Sequence, residues 1–99
     1  MKIDHVAIKS FDIERDVEWY FEKFGIKALY QDSTWALLDS KGTYLALVTP
    51  GQHPPHLSFL MEGEVPQDSK MHRDGTYSKY IKDPSGNTVE LLWRATSDS

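Results

Sequence analysis

Two histidines and one glutamate are the side chains whose chemistry and position could hold a metal ion. His5 lies in KIDHVAIK, His56 begins HLSFL, and Glu90 lies within VELLW. Alternate residues of a strand point to opposite faces, so apolar alternation predicts which face each side chain takes. The three potential ligands should lie opposite the core-facing residues, which are Val6, Ile8, Leu57, Phe59, Met61, Val89, Leu91 and Trp93. By the same alternation, Ile3 and Ala7 should share the face of His5.

Two neutral imidazoles and a carboxylate suit Fe(II), Mn(II), Zn(II) or Ni(II), so residue type leaves the identity of the metal open. Three protein ligands leave coordination positions for water and substrate. A metal held in this way can polarise a carbonyl, stabilise an enolate or lower the pKa of a bound water. The three side chains converge if their strands curve into a cup. Taken alone, each is more typical of an ordinary strand residue, because antiparallel sheets commonly expose one face to water.

The remaining pattern supplies the elements that would position these residues. A strand at 2–9 precedes a helix that should begin after an N-cap at Ser10 or Asp12 and end at Gly25. Val89, Leu91 and Trp93 are expected to pack under this helix. Further strands are predicted near 26–31, 34–39, 43–49, 56–61, 76–82 and 88–93, with a loop at 62–75. The apolar stripe of the helix consists of Ile13, Val17, Tyr20, Phe21 and Phe24.

These elements predict an α+β protein with a single domain at 1–99. The first module, 1–49, has the order strand, helix and three strands. A linker at 50–55, rich in Pro and Gly, leads to a second module at 56–94 that repeats the strands without the helix, and a tail follows at 95–99. The turn DPSGN at 83–87 should fix the register of the last hairpin so that Glu90 faces the cup.

Composition excludes several classes of function. The 99 residues carry a net charge of −4 and no cysteine. Without a basic stripe, nucleic-acid binding is not expected, and no apolar run approaches the roughly 18 residues of a membrane span. The absence of cysteine excludes disulfides, thiolate metal ligands and a cysteine nucleophile. The first residues, MKIDHVAIKS, lack the apolar region of a signal peptide, so a cytoplasmic location is expected.

Four stretches together resemble the vicinal oxygen chelate superfamily, which includes glyoxalase I, extradiol dioxygenases and the fosfomycin and bleomycin resistance proteins. They are DHVAI (4–8), WYFEKFGIK (19–27), HLSF (56–59) and DPSGNTVELL (83–92). The resemblance implies two βαβββ modules that form a half-open barrel around a metal. It also implies ligands from the first strand, the strand that opens the second module, and the last strand. Those positions are His5, His56 and Glu90.

The sequence departs from parts of the family pattern. Glyoxalase I has a fourth ligand, a glutamate, where this chain has Ala46, so glyoxalase I activity is not expected. Extradiol enzymes use a histidine and a tyrosine as acid–base groups before the last turn. The resemblance places the tyrosine at Tyr80, whereas the histidine position is Gly75, with His72 three residues earlier. Tyr80 and His72 are therefore the candidate catalytic groups.

The strand pattern also predicts the wall of the cup. An apolar wall suits a small substrate, although some of the same residues could instead fill a dimer interface. His53, in GQHPPH, is interpreted as a linker residue, because Pro-Pro favours an extended backbone. The candidate wall residues are Trp35, Leu37, Tyr44, Val48, Ser58 and Leu92.

Together, these patterns predict a divalent-metal-dependent, lyase- or dioxygenase-like enzyme that acts on a small substrate with vicinal oxygens. The alternative is a metal-free protein that binds or sequesters a small molecule, as bleomycin resistance proteins do. A homodimer is expected, because an open sheet with apolar residues on both faces needs cover.

Overall fold

The structure, a computed structural model, describes residues 2–72 and 75–94. The predicted tail at 95–99 lies outside the described residues. The single helix of the described residues is α1 (Ile13–Phe24). The strands are β1 (Lys2–Lys9), β2 (Lys27–Gln31), β3 (Trp35–Ser40), β4 (Thr43–Val48), β5 (His56–Leu60), β6 (Lys70–Met71), β7 (Tyr77–Lys82) and β8 (Thr88–Trp93).

The eight strands form one mixed sheet in the order β2-β3-β4-β1-β5-β8-β7-β6. The two halves repeat the same strand pairing. In the first half β1 pairs in parallel with β4, and in the second half β5 pairs in parallel with β8. The antiparallel pair β1–β5 joins the two halves at the centre of the sheet. This arrangement confirms the α+β prediction of one βαβββ module and a second, helix-depleted module. Strands β2 and β6 form the open edges, consistent with a half-open barrel.

The helix begins and ends at the predicted residues. Asp12 is the N-cap, and its carboxylate accepts a hydrogen bond from the Arg15 amide at 3.1 Å. Gly25 is the C-cap, with φ of 73° and its amide donating to the Phe21 carbonyl at 2.8 Å. A left-handed φ favours glycine, which explains why the helix stops there. Ser10, the other predicted cap, donates instead to the Asp16 carboxylate at 2.6 Å.

The predicted apolar stripe of α1 is only partly buried. Ile13 is buried, and Val17 and Tyr20 pack against the core that Ala36, Leu38 and Leu47 form with it. Phe21 and Phe24 are 50% and 64% exposed, so the apolar stripe is not buried along its whole length. The helix packs mainly over β2 and β3.

The second half of the sheet has no helix over its outer face. β8 is separated from β3 by three strands, so the prediction that Val89, Leu91 and Trp93 pack under the helix is wrong. Val89 and Leu91 are half-buried, whereas Trp93 is buried by other contacts. The segment predicted as a loop at 62–75 also contains the short strand β6. This strand has only two residues, too few to show an alternating pattern in the sequence.

The turn between β7 and β8 has the predicted role. The Asp83 carboxylate accepts from the amides of Ser85 and Asn87 at 2.9 and 2.8 Å and from the Asn87 side chain at 2.9 Å. Gly86 has φ of 88°, a left-handed conformation that glycine adopts readily. The resulting register pairs Tyr80 with Glu90.

Among the described residues, no helix combines the length and the apolar character needed to cross a membrane.

Candidate metal centre

Three adjacent central strands carry the three candidate ligands. His5 lies on β1, His56 on β5 and Glu90 on β8. In the register of these strands, Ser58 lies opposite both His5 and Glu90, so the ligands share one face of the sheet. This is the cup face that alternation predicts, and it is opposite the core beneath α1. The ladder of hydrogen bonds between the strands therefore determines how closely the ligands approach.

The donor atoms of the three side chains converge. His5 Nε2 lies 3.2 Å from His56 Nε2, and Glu90 Oε1 lies 3.5 Å from His5 Nε2 and 3.4 Å from His56 Nε2. Metal–ligand distances of about 2.1 Å place tetrahedral donor atoms about 3.4 Å apart and octahedral neighbours about 3.0 Å apart. The triangle of donors thus has the size that one divalent ion requires.

The outer ring nitrogens determine the tautomers. His5 Nδ1 lies 2.8 Å from Asp4 Oδ2, and His56 Nδ1 lies 2.8 Å from the Pro54 carbonyl oxygen. Ionised carboxylates and carbonyls only accept, so both Nδ1 atoms must carry hydrogen and donate. In neutral rings, both Nε2 atoms then present lone pairs to each other and to the Glu90 carboxylate. Such mutually facing electron pairs repel unless a proton or a metal ion lies among them.

The burial of His56 and Glu90 is a second reason to expect a cation between these side chains. His56 and Glu90 are 9% and 5% exposed, and Glu90 Oε1 makes no hydrogen bond of good geometry within the described residues. A buried carboxylate oxygen without a donor is costly. A divalent cation would satisfy this oxygen together with both imidazoles, and the donor set suits the predicted metals. The residues present therefore fit a metal ion.

The pKa values show how the charges of the cluster depend on one another. Burial opposes protonation of His56, but Glu90 and the Pro54 carbonyl outweigh it, and the pKa of His56 rises above its ordinary value. Burial likewise opposes ionisation of Glu90, yet His56 and the Ser58 hydroxyl lower the pKa of Glu90 below its ordinary value. Both shifts favour an imidazolium–carboxylate pair in the metal-free protein.

Of the two candidate catalytic groups, Tyr80 lies next to the cluster. Its ring makes an edge contact with the ring of His56, with centroids 5.3 Å apart. Burial and the charge of Glu90 raise the pKa of Tyr80 to about 12, so the phenol is protonated at neutral pH. His72 Nε2 instead lies 2.6 Å from the Ser78 hydroxyl, whose strand partner is Leu92 rather than Glu90.

The predicted wall residues share the cup face. In the first half, Trp35, Leu37 and Val48 pack with Ala7 and Ala46 in a small core of their own. Ala46, at the position of the absent fourth ligand, is 3% exposed and contributes only a methyl group there. Tyr44 pairs with His5, while Ser58 and Leu92 are buried beside the ligands. Two surface grooves of about 360 and 430 Å³ border α1 instead, and no cluster residue lines them.

His53 lies away from the cluster, as expected for a linker residue. It is exposed, and its amide donates to the Thr49 carbonyl at 3.2 Å.

The side chains that alternation did not identify are Asp4 and Arg94. Asp4 lies next to a candidate ligand, which is the signal that could have identified it. No local pattern marks Arg94, since it is 90 residues from Asp4, the carboxylate to which it donates.

Comparison with known proteins identifies the fold. No protein-family model matches the chain, and no curated protein matches it in sequence. A solved structure from Vibrio splendidus 12B01, described as a glyoxalase/bleomycin resistance protein/dioxygenase superfamily member, is similar with a TM-score of 0.71 and 11% identity, covering 93% of this chain and 99% of that one. The protein has the vicinal oxygen chelate fold.

Other proteins with similar structures differ in the activities that they are reported to have. A methylmalonyl-CoA epimerase variant from Streptomyces coelicolor, in complex with 2-nitronate-propionyl-CoA, has a TM-score of 0.74 and 17% identity, covering 100% of this chain and 98% of that one. A Legionella pneumophila protein described as an NAD-dependent benzaldehyde dehydrogenase has a TM-score of 0.67 and 17% identity, covering 90% and 96%. At such identities, the likeness establishes the vicinal oxygen chelate fold, and the activity must be argued from the site.

Proposed function

We propose that the protein is an enzyme that binds one divalent metal ion through His5, His56 and Glu90 and acts on a small substrate with vicinal oxygens. The observation that supports this proposal is the convergence of two Nε2 lone pairs and one buried carboxylate oxygen within 3.5 Å. Each imidazole is oriented through a hydrogen bond from its Nδ1, to Asp4 in His5 and to the Pro54 carbonyl in His56. Such hydrogen bonds are usual for histidines that ligate metals.

When bound, a divalent ion supplies Lewis-acid polarisation of a substrate oxygen or a bound water of lowered pKa. Tyr80 holds its proton at neutral pH and lies beside the cluster, so we assign it the role of proton donor through its hydroxyl. Trp35 and Leu37 present partly buried apolar surface that would exclude water from one side of the substrate. The catalytic role of His72 stays a prediction, because its Nε2 contacts Ser78.

Metal content tests the proposal directly. Untagged protein, equilibrated in turn with Fe(II), Mn(II), Zn(II) and Ni(II) and then dialysed, should retain about one equivalent of at least one metal per chain. Retention below about a tenth of an equivalent for every metal would contradict the proposal. The measurement is elemental analysis of the dialysed protein against its buffer.

A panel of candidate substrates would identify the class of reaction. The named activities of the structural neighbours suggest methylmalonyl-CoA as one member, and the resemblance suggests catechols, followed by oxygen uptake. Epimerisation without oxygen consumption would indicate proton transfer, whereas oxygen uptake would indicate ring cleavage. In either assay, a Tyr80→Phe variant with wild-type turnover would exclude Tyr80 as the proton donor.

A metal-free binding protein is the second candidate, and the paired shifts of His56 and Glu90 favour it. A proton shared within the cluster compensates the buried charge without a metal, since His56 Nε2 lies 3.4 Å from Glu90 Oε1. In this case, the cup would bind a small molecule with unchanged affinity in the presence of a chelator. The same chelator would abolish binding if the substrate contacts the metal.

The affinity for metal should depend on pH with a defined sign. The pKa of His56 is raised, so this imidazole is still protonated at pH values where an ordinary histidine, with a pKa of about 6.5, is neutral. A metal ion must displace that proton. We expect the apparent affinity for Zn²⁺ to fall about tenfold per pH unit below the pKa of His56 and to level off above it. A chelator-competition titration that is flat between about pH 5.5 and 8 would contradict this expectation.

A homodimer and a cytoplasmic location belong to the same proposal. The outer face of the second half carries half-buried Leu57, Phe59, Val89 and Leu91 without a covering helix, and Ile81 beside them is 42% exposed. A second copy of the chain would cover this surface. Sedimentation analysis at micromolar concentration tests the dimer, and a monomer at all concentrations would contradict it.

A further inference from the structure

Strand β1 contains one extra residue next to its candidate ligand. In the β1–β5 ladder, Ile3 pairs with Phe59 and His5 pairs with Ser58, so Asp4 has no partner of its own. This is a β-bulge, a feature that re-aims side chains near functional sites. It also shifts the alternation, because Ile3 shares the outer face with Phe59 instead of the cup face with His5. The prediction for Ile3 is therefore wrong, whereas the one for His5 does not depend on residues before the bulge.

The bulge allows neighbouring side chains to meet. In a regular strand, Asp4 and His5 would point to opposite faces. Here Asp4 Oδ2 lies 2.8 Å from His5 Nδ1, and the Asp4 and His5 side chains are 11% and 16% exposed. The carboxylate thus approaches His5 from the side opposite the metal-facing nitrogen.

The second carboxylate oxygen of Asp4, Oδ1, accepts a hydrogen bond from Arg94, which follows β8 on the other side of β5. Arg94 follows the last residue of β8 and has the same alternation as Glu90 and Leu92. Its Nη2 donates to Asp4 Oδ1 at 2.5 Å. Because β5 lies between β1 and β8, this contact spans the strand that carries His56 and links the strands that carry His5 and Glu90.

We infer that Asp4 and Arg94 are positioning residues of the cluster. Asp4 holds His5 in the Nδ1–H tautomer with Nε2 facing His56 and Glu90, and Arg94 holds Asp4 in place while bridging β1 and β8. The consequence for metal affinity rests on the proposed function; the consequence for the His5 tautomer does not. Neither residue touches the reacting atoms, so both act through His5.

The test compares Asp4→Ala, Asp4→Asn, Arg94→Gln and Arg94→Lys with wild type and with Arg15→Gln. The control removes another arginine–aspartate pair, Arg15–Asp16, which lies on the helix. Zn²⁺ affinity is measured by chelator competition. Asp4→Ala should weaken binding about 10- to 100-fold, and Arg94→Gln by a factor at the low end of that range. Arg94→Lys should restore part of the loss, and Arg15→Gln should bind as wild type does.

A second readout uses the metal-free protein. Nitrogen-15 NMR of the histidine rings should show the Nδ1–H tautomer for His5 in wild type and in Arg15→Gln, and a mixture of tautomers in Asp4→Ala. If Asp4→Ala does not fold, Asp4→Asn and Arg94→Gln decide the same question. Wild-type Zn²⁺ affinity and an unchanged His5 tautomer in these variants would overturn the inference. If wild type itself binds no metal, the proposed function fails, and the tautomer still tests the role of Asp4.

Discussion

Replacing His56 with alanine should weaken Zn²⁺ binding by more than about 100-fold. Losing a residue that only orients a ligand costs about 10- to 100-fold, and losing the ligand itself should cost more. His56 lies between the other two candidates, with its Nε2 3.2 Å from His5 Nε2 and 3.4 Å from Glu90 Oε1. Its removal leaves only two of the three donors, His5 Nε2 and Glu90 Oε1, which lie 3.5 Å apart. Isothermal titration with Zn²⁺, backed by elemental analysis, measures the loss.

The matched control is His53→Ala. His53 is only three residues away in the chain but is exposed and outside the cluster, so this variant should bind Zn²⁺ as wild type does. Circular dichroism establishes that both variants are folded. Loss of binding in His53→Ala, or its retention in His56→Ala, would show that the cluster is not the metal site. His5→Ala and Glu90→Gln should behave like His56→Ala.

Leu38→Ala should have the largest effect on stability, with a loss of about 2–5 kcal/mol in the free energy of unfolding. Leu38 is fully buried beneath α1, where it packs with Ile13, Ala36 and Leu47. A domain of this size is expected to have a total stability of only about 5–15 kcal/mol, so the loss would be a large part of the whole. Urea unfolding followed by fluorescence measures the change.

Leu29→Ala provides a control with the same chemical change in the neighbouring strand. Leu29 has no partner in the β2–β3 ladder, because the register shifts between Ala28 and Tyr30, and it is 60% exposed. Its replacement should cost less than about 1 kcal/mol. Equal losses in the two variants would mean that the core beneath α1 does not stabilise the fold as described. Leu38 lies on the face opposite the cup, so folded Leu38→Ala protein should still bind metal.

The core beneath α1 and the cup lie on opposite faces of the same strands, and this explains why alternation was informative. In β8, Glu90 and Leu92 occupy the cup face, and the Asp83 turn fixes the register that puts them there. The helix ends were predictable because Asp12 and Gly25 satisfy local hydrogen bonds and local backbone geometry. Interactions within a few residues of each other leave a clear trace in the sequence.

Predictions failed where burial depends on which element lies opposite. Phe21 and Phe24 have the helical spacing of the apolar stripe, yet they are 50% and 64% exposed, because the residues that α1 packs against lie beside Ile13, Val17 and Tyr20. Val89 and Leu91 alternate as core residues do, but α1 lies over the other half of the sheet. Spacing alone indicates that a face is apolar; it does not specify what packs against that face.

The sequence by itself determined every strand except β6, the helix with its C-cap, and the shared face of His5, His56 and Glu90, because side-chain alternation and turn chemistry act over short distances. Only the tertiary structure decided that these residues meet within 3.5 Å, since that depends on the adjacency of β1, β5 and β8. It also decided the bulge at Asp4 and the contact with Arg94, 90 residues away. Strand order and register arise from packing of the whole chain, and a local pattern does not encode a distance between segments so far apart.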